Sequence, residues 1–126
     1  MTAAGKRKGR VLVIDDEVDL LVSCQKILTR AGYQVEIDET PVSGVERAAR
    51  GQFDVVLVDL KMPNMSGFDA LEKIREQTPG IPVVIITAFA TVQTAVKAIK
   101  TGAFDYLAKP FSTEQLEVTV ERAVDH

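Results

Sequence analysis

The sequence predicts a three-layer α/β domain built on a parallel sheet, and three observations carry that expectation. Val11-Leu12-Val13-Ile14, Val55-Val56-Leu57-Val58 and Val83-Val84-Ile85-Ile86 are short, unbroken apolar runs, the pattern of strands covered on both faces. The first two end on carboxylates, Asp15 and Asp59, and the third on Thr87. Between the runs lie stretches with helical spacing, and parallel neighbours need such crossovers, which are right-handed.

Taken in order, Val11 to Ile14 forms the first strand and breaks into Asp15-Asp16-Glu17. Val18, Leu21, Val22, Ile27 and Leu28 approximate helical spacing up to Ala31, with Gly32 as the residue past the helix end. Cys24 is a small packing residue of that helix. Gln34 to Asp38 alternates Val35 and Ile37 with polar neighbours, as a short edge strand does. Thr40-Pro41 caps and opens a second helix that runs to about Arg50 and stops at Gly51. The central strand, Val55 to Asp59, leads into the loop Leu60-Lys61-Met62-Pro63-Asn64-Met65-Ser66-Gly67. A third helix from Gly67 to about Gln77 turns Leu71 and Ile74 inward. After the Pro79-Gly80 turn and the strand ending at Thr87, Thr91 caps a fourth helix. Its Val92, Ala95, Val96 and Ile99 follow the i, i+3, i+4, i+7 spacing of an amphipathic face, and Gly102 ends it. Phe104 to Ala108 is the last strand. Ser112 or Thr113 opens a final helix with Leu116, Val120 and Ala123 on one face and Glu114 in its first turn.

Composition narrows the chemistry. The 126 residues, 46% hydrophobic and 26% charged, suit one domain with its own core. Residues 1–9, with Lys6, Arg7 and Lys8, read as a disordered basic arm, and 10–126 as the folded domain. A net charge of −3 argues against direct nucleic-acid binding, which needs clustered Lys and Arg on a folded face. The run after the arm is too short for a membrane span or a signal peptide. A single Cys excludes an internal disulfide and fits a reducing, cytoplasmic setting. The only histidine is His126, which excludes His-based metal sites and Ser-His-Asp chemistry within one chain.

The carboxyl ends of the strands of an open parallel sheet border the crevice where ligands bind. There the sequence collects Asp15, Asp16, Asp59, Thr87 and Lys109. Three carboxylates in a partly dehydrated cleft raise one another's pKa unless a cation compensates. Oxygen donors without Cys or His select a hard cation, and a few carboxylates leaving room for water and a phosphate oxygen is the Mg2+ pattern, with Mn2+ as a substitute. With that ion and Lys109 present, the formal charge comes to about zero and a phosphoryl group can enter. An Asp carboxylate can attack phosphorus to give an acyl phosphate, and Asp59, on the central strand, is best placed to do so. Asp16 would bind the metal directly and Asp15 through water or more weakly. Lys109 would pair with Asp59 or a phosphoryl oxygen, and Thr87 would hydrogen-bond the phosphoryl group. An ordinary cap, turn residue or solvated charge explains each of these alone; it does not explain all five together.

Asp15-Asp16 after the first strand, Asp59 with Met62-Pro63 and Gly67, Thr87-Ala88 and Lys109-Pro110-Phe111 together resemble the receiver domain of two-component response regulators, from about Arg10 to Val124. The resemblance implies a flavodoxin-like sheet of order 2-1-3-4-5. It implies phosphorylation of Asp59 by a sensor histidine kinase, a metal shell completed by the Lys61 main-chain carbonyl, and a cis Lys109-Pro110 peptide. It also implies a switch in which Thr87 moves toward the phosphoryl oxygens and Tyr106 turns inward, remodelling the face of the fourth helix, fifth strand and fifth helix. Lys61 and Phe89, two residues past Asp59 and Thr87, occupy positions that vary in the family and tune the lifetime of the acyl phosphate; neither offers a carboxamide to orient water.

The run Thr87-Ala88-Phe89-Ala90 and the stretch Gly102-Ala103-Phe104-Asp105-Tyr106-Leu107 are most similar to receivers that precede an AAA+ ATPase in activators working with the alternative sigma factor. A piece of such a transcription regulator and a stand-alone receiver acting through protein contacts both fit. Val118 lies off the inward face of the last helix, open to a homodimer contact or to water. Two other classes fit poorly: aspartyl phosphatases resemble Asp-x-Asp where this chain has Asp15-Asp16-Glu17, and no glycine-rich phosphate loop follows the first strand.

Overall fold

The computed structural model describes residues 8–126. Ten elements alternate: β1 Arg10–Ile14, α1 Val18–Arg30, β2 Gln34–Asp38, α2 Pro41–Arg50, β3 Val55–Asp59, α3 Gly67–Gln77, β4 Val83–Thr87, α4 Val92–Thr101, β5 Asp105–Ala108 and α5 Thr113–Val124. The sheet is wholly parallel in the order β2-β1-β3-β4-β5, the flavodoxin-like arrangement that the resemblance implied. Of the arm expected over residues 1–9, residues 1–7 lie outside the described residues. Lys8 and Gly9 belong with the folded chain, because the Lys8 N–H donates to the Gly32 carbonyl and the Gly9 carbonyl accepts from Gln34.

Because side chains alternate along a strand, each central strand feeds two cores. Leu12, Ile14, Val56, Val58, Val83 and Ile85 face α2, α3 and α4, where Val45, Ala48, Leu71 and Ile74 meet them. Val11, Val13, Val55, Leu57, Val84 and Ile86 face α1 and α5, against Leu21, Leu28, Leu116 and Val120. All five residues of β3 and of β4 are buried, as unbroken apolar runs require. Cys24 is fully buried in the second core, and that burial, with the Asp15 charge, pushes its thiol up to about 11, so it packs as a small apolar residue.

Two details differ from the sequence reading. Thr40 occupies the N-cap position of α2 without a side-chain cap; Asp38 holds that turn instead, accepting from the Thr40 N–H at 2.9 Å and the Ser43 hydroxyl at 2.8 Å. The larger correction concerns α4. Its periodicity located the helix but not its inward face: Val92 is 78%, Val96 46% and Ile99 53% exposed, and Ala98 is its one buried residue. The helix packs through small residues, so its three largest aliphatic side chains lie outside. Val18 and Val22 of α1 are likewise exposed, while Leu21, Cys24 and Leu28 form the inward stripe.

Candidate functional site

The carboxyl end of the sheet gathers the acids from three places in the chain. Asp15 follows β1 directly, and its N–H donates to the Asp38 carbonyl at 3.1 Å, which carries the first strand pairing one residue further. Its side chain is fully buried, and Oδ1 accepts the Glu17 N–H at 2.9 Å. Asp59 ends β3 with 5% exposure. The loop beneath it closes because Gly67 comes close: its N–H donates to the Leu60 carbonyl at 2.7 Å, and a Cβ there would lie 2.5 Å from the Asp59 carbonyl oxygen. Only glycine fits. Ser66 then caps α3, accepting from the Asp69 N–H at 3.1 Å.

Asp15, Asp16 and Asp59 each present a carboxylate oxygen within 4.8 Å of the others. Lys109 reaches this cluster from the end of β5. Its Nζ lies 2.8 Å from Asp15 Oδ2, 2.7 Å from Glu17 Oε1 and 3.5 Å from Asp59 Oδ1. The sequence pairs Lys109 with Asp59 or a phosphoryl oxygen; the geometry adds Asp15 and Glu17 as closer partners. Glu17 went unassigned because it stands at the N-cap of α1, where an acid is ordinary, although its place in the Asp15-Asp16-Glu17 run was a signal.

The electrostatics follow from burial and like charge. Desolvation first, and the Asp15 charge second, push Asp59 up to about 6 from its ordinary 3.8, against the pull of Lys109. Burial also raises Asp15, offset in part by the hydrogen bond from Lys109. Burial by itself would lower Lys109, but its hydrogen bonds to Asp15 and Glu17 and the Asp59 charge more than reverse that and hold it firmly protonated. One ammonium therefore faces an excess of acids. A cluster of hard oxygen donors, close enough to share one ion and strained by mutual repulsion, fits a small divalent cation.

Thr87, fully buried at the end of β4, turns its hydroxyl to its own loop, where Oγ1 accepts the Phe89 N–H at 2.9 Å. Phe89 is 56% exposed, and the Lys61 ammonium stacks 4.0 Å from its ring centroid, joining the loops after β3 and β4. Tyr106 is half-buried, in register with Ile85 of β4, and its hydroxyl lies 2.5 Å from Thr94 Oγ1 of α4. The Lys109-Pro110 peptide is cis. Val118 is 44% exposed on α5, off its inward face.

Comparison with known proteins agrees with this geometry. A family model described as the response regulator receiver domain matches residues 11–121. The chain is 40% identical over 116 residues to the transcriptional regulatory protein ZraR of Escherichia coli K12, covering 92% of this chain and 26% of that protein. It thus spans about a quarter of the length of the curated relatives it matches. Among solved structures, a CheY-like receiver domain protein from Methanospirillum hungatei JF-1 aligns with a TM-score of 0.87 at 32% identity, covering 92% of this chain and 93% of that one. The beryllofluoride-activated NtrC4 receiver domain dimer aligns with a TM-score of 0.87 at 37% identity, over 92% and 96%.

Proposed function

The chain belongs to the response regulator receiver domain family, and from that premise we propose that it accepts a phosphoryl group on Asp59 from a sensor histidine kinase and relays the event through the α4-β5-α5 face. The observation that carries this reading is the convergence of Asp15, Asp16 and Asp59 around one point, with Lys109 against them. An Asp59 carboxylate oxygen bonds to phosphorus while the P–N bond to the donor imidazole breaks and its electron pair stays on nitrogen. Asp15, Asp16, Asp59 and the Lys61 carbonyl are the groups that would hold Mg2+ or Mn2+. The ion, when bound, supplies positive charge against the phosphoryl oxygens. Lys109 adds its own positive charge, and Thr87 turns its hydroxyl from the Phe89 N–H to the phosphoryl group. The domain is regulatory; on this reading it catalyses its own phosphorylation and slow dephosphorylation.

Tyr106 and Thr87 form the switch, two side chains on neighbouring strands biased by one charge-rich group. The output we assign is transcription, reached through a further domain or a downstream protein. It rests on relatives such as ZraR, which is named a transcriptional regulatory protein. The exposed Val92, Val96 and Ile99 of α4 make that face suited to a second copy of the chain, in keeping with the dimer named for the NtrC4 receiver. No helix among the described residues is long and apolar enough to cross a membrane. We place the protein in the cytoplasm, without direct nucleic-acid contact.

Titration with beryllium fluoride and Mg2+ tests this reading. Tyr106 ring signals in the NMR spectrum are expected to move on binding; signals that stay in place at saturation refute the switch. The lifetime of the acyl phosphate gives a second check. Phe89 offers no hydrogen-bond acceptor for water, and its ring carries the Lys61 ammonium. Phe89→Glu breaks that stack and supplies a carboxylate to orient water. Loss of phosphate from the variant is expected to be faster by about threefold to tenfold, the range of one hydrogen bond. Equal or slower loss would count against this role.

A further inference from the structure

Thr94 belongs to none of the roles above, yet its hydroxyl is the most connected polar atom on α4. It forms half of a reciprocal cap: Thr94 Oγ1 accepts the Thr91 N–H at 3.0 Å and donates to the Thr91 carbonyl at 3.1 Å, while Thr91 Oγ1 accepts the Thr94 N–H at 3.1 Å. A hydroxyl has one proton and two lone pairs. The Thr91 hydroxyl, at 3.1 Å, and the Tyr106 hydroxyl, 2.5 Å away on β5, meet the same oxygen, and in each pair either hydroxyl can donate.

Two routes from the acid cluster meet at this oxygen. Along the chain, Thr87 leads in four residues to Thr91, and its hydroxyl already holds the Phe89 N–H between them. Across the sheet, Tyr106 sits beside Ile85, two residues before Thr87 on β4. The fourth helix buries only Ala98, so polar contacts help to hold it: this tie at its first turn, and the Arg75 guanidinium donating to the Thr101 carbonyl at 3.0 Å at its last.

We propose that Thr94 is the positioning residue of the switch: its hydroxyl latches Tyr106 to the first turn of α4, and movement of the Thr87 loop releases the ring by displacing Thr91 and Thr94 together. The proposal rests on the reading of Thr87 and Tyr106 as the switch pair. In the arrangement seen, the Thr87 hydroxyl faces its own loop, so this is the arrangement that engagement of a phosphoryl group has to leave. Weakening the latch therefore favours the engaged state.

The test is a thermodynamic cycle on the full chain, with beryllium fluoride and Mg2+ as the probe. Thr94→Val keeps the shape and removes the hydroxyl. It is expected to tighten half-saturation by the probe about threefold to tenfold, the worth of one hydrogen bond. In a Tyr106→Phe background, which lacks the phenol hydroxyl, Thr94→Val is expected to have no further effect. Thr94→Ser, which keeps the hydroxyl, is expected to behave as the parent chain. In metal-free protein, Thr94→Val is expected to move the Tyr106 ring signals toward their probe-bound positions.

Unchanged half-saturation in Thr94→Val, with Tyr106 of the parent chain still responding to the probe, overturns the latch and leaves the switch standing. Equal tightening in the Tyr106→Phe background also overturns it, since the effect then comes from the helix cap. A parent chain whose Tyr106 does not respond overturns the switch itself and the latch with it.

Discussion

Asp59→Asn is expected to make the metal-free protein more stable near neutral pH. The Asp59 side chain is 8% exposed, and its carboxyl is pushed up to about 6 in the folded chain from an ordinary 3.8, mainly through burial and then the neighbouring Asp15 charge. Such a group binds its proton more tightly folded than unfolded, so ionisation opposes folding. The penalty is complete above about pH 6, shrinks as the pH falls toward 3.8 and is gone below it. Two pKa units correspond to about 2–3 kcal/mol, which Asn, neutral and of the same shape, removes. For a domain of this size the melting temperature is expected to rise by roughly 5–10 °C. The gain disappears in acid, where the parent carboxyl is already protonated. Mg2+ narrows the gap as well, because a ligand that binds only the folded state stabilises it by mass action and Asn is the poorer oxygen donor. Thermal melts of both chains across pH, with and without Mg2+, check this. A variant less stable than the parent in metal-free neutral buffer would show that Asp59 is not under strain.

Lys109→Met is expected to act in the opposite direction. The Lys109 side chain is 10% exposed, and its ammonium holds Asp15 at 2.8 Å and Glu17 at 2.7 Å, with Asp59 at 3.5 Å. Met keeps the length of the stem and removes the charge, leaving fully buried Asp15 without its cation. Breaking a buried pair from one side costs about 3–5 kcal/mol, because the remaining charge stays desolvated. We expect a loss of about 3 kcal/mol at neutral pH, since Asp15 and Asp59 relieve part of the strain by taking up a proton. The loss is expected to shrink as the pH falls and the acids protonate, and to be partly recovered by Mg2+. Urea unfolding across pH measures it. A loss below about 0.5 kcal/mol, the level of an exposed ion pair, would mean that the lysine does not hold the cluster.

How much of this was legible in the chain depended on how directly each feature followed from local chemistry. The central strands were plain, because Val11 to Ile14, Val55 to Val58 and Val83 to Ile86 have no polar residue to offer solvent on either face. The site residues at their ends followed from topology, since parallel strands deliver their carboxyl ends to one edge. The inward face of α4 was not legible. Periodicity reports that one side of a helix is apolar, and it cannot say whether that side meets the core or a partner. The core took Ala98 and left Val92, Val96 and Ile99 outside. Glu17 and Thr94 were missed for a related reason: both sit at the start of a helix, Glu17 at the N-cap of α1 and Thr94 in the first turn of α4, where acids and threonines are common, and only the distances to Lys109 and Tyr106 single them out. Thr40 shows the converse, a plausible cap whose work Asp38 does from the preceding strand.

The account stands on Asp59 as the group that takes the phosphoryl. The chain should therefore be incubated with acetyl phosphate and Mg2+ and the product mapped by peptide-level mass spectrometry at low temperature. One added phosphoryl mass on the peptide carrying Asp59, absent without Mg2+ and absent in Asp59→Asn, is the expected result. A phosphoryl mass on a peptide without Asp59, or none on a folded chain saturated with Mg2+, would contradict it.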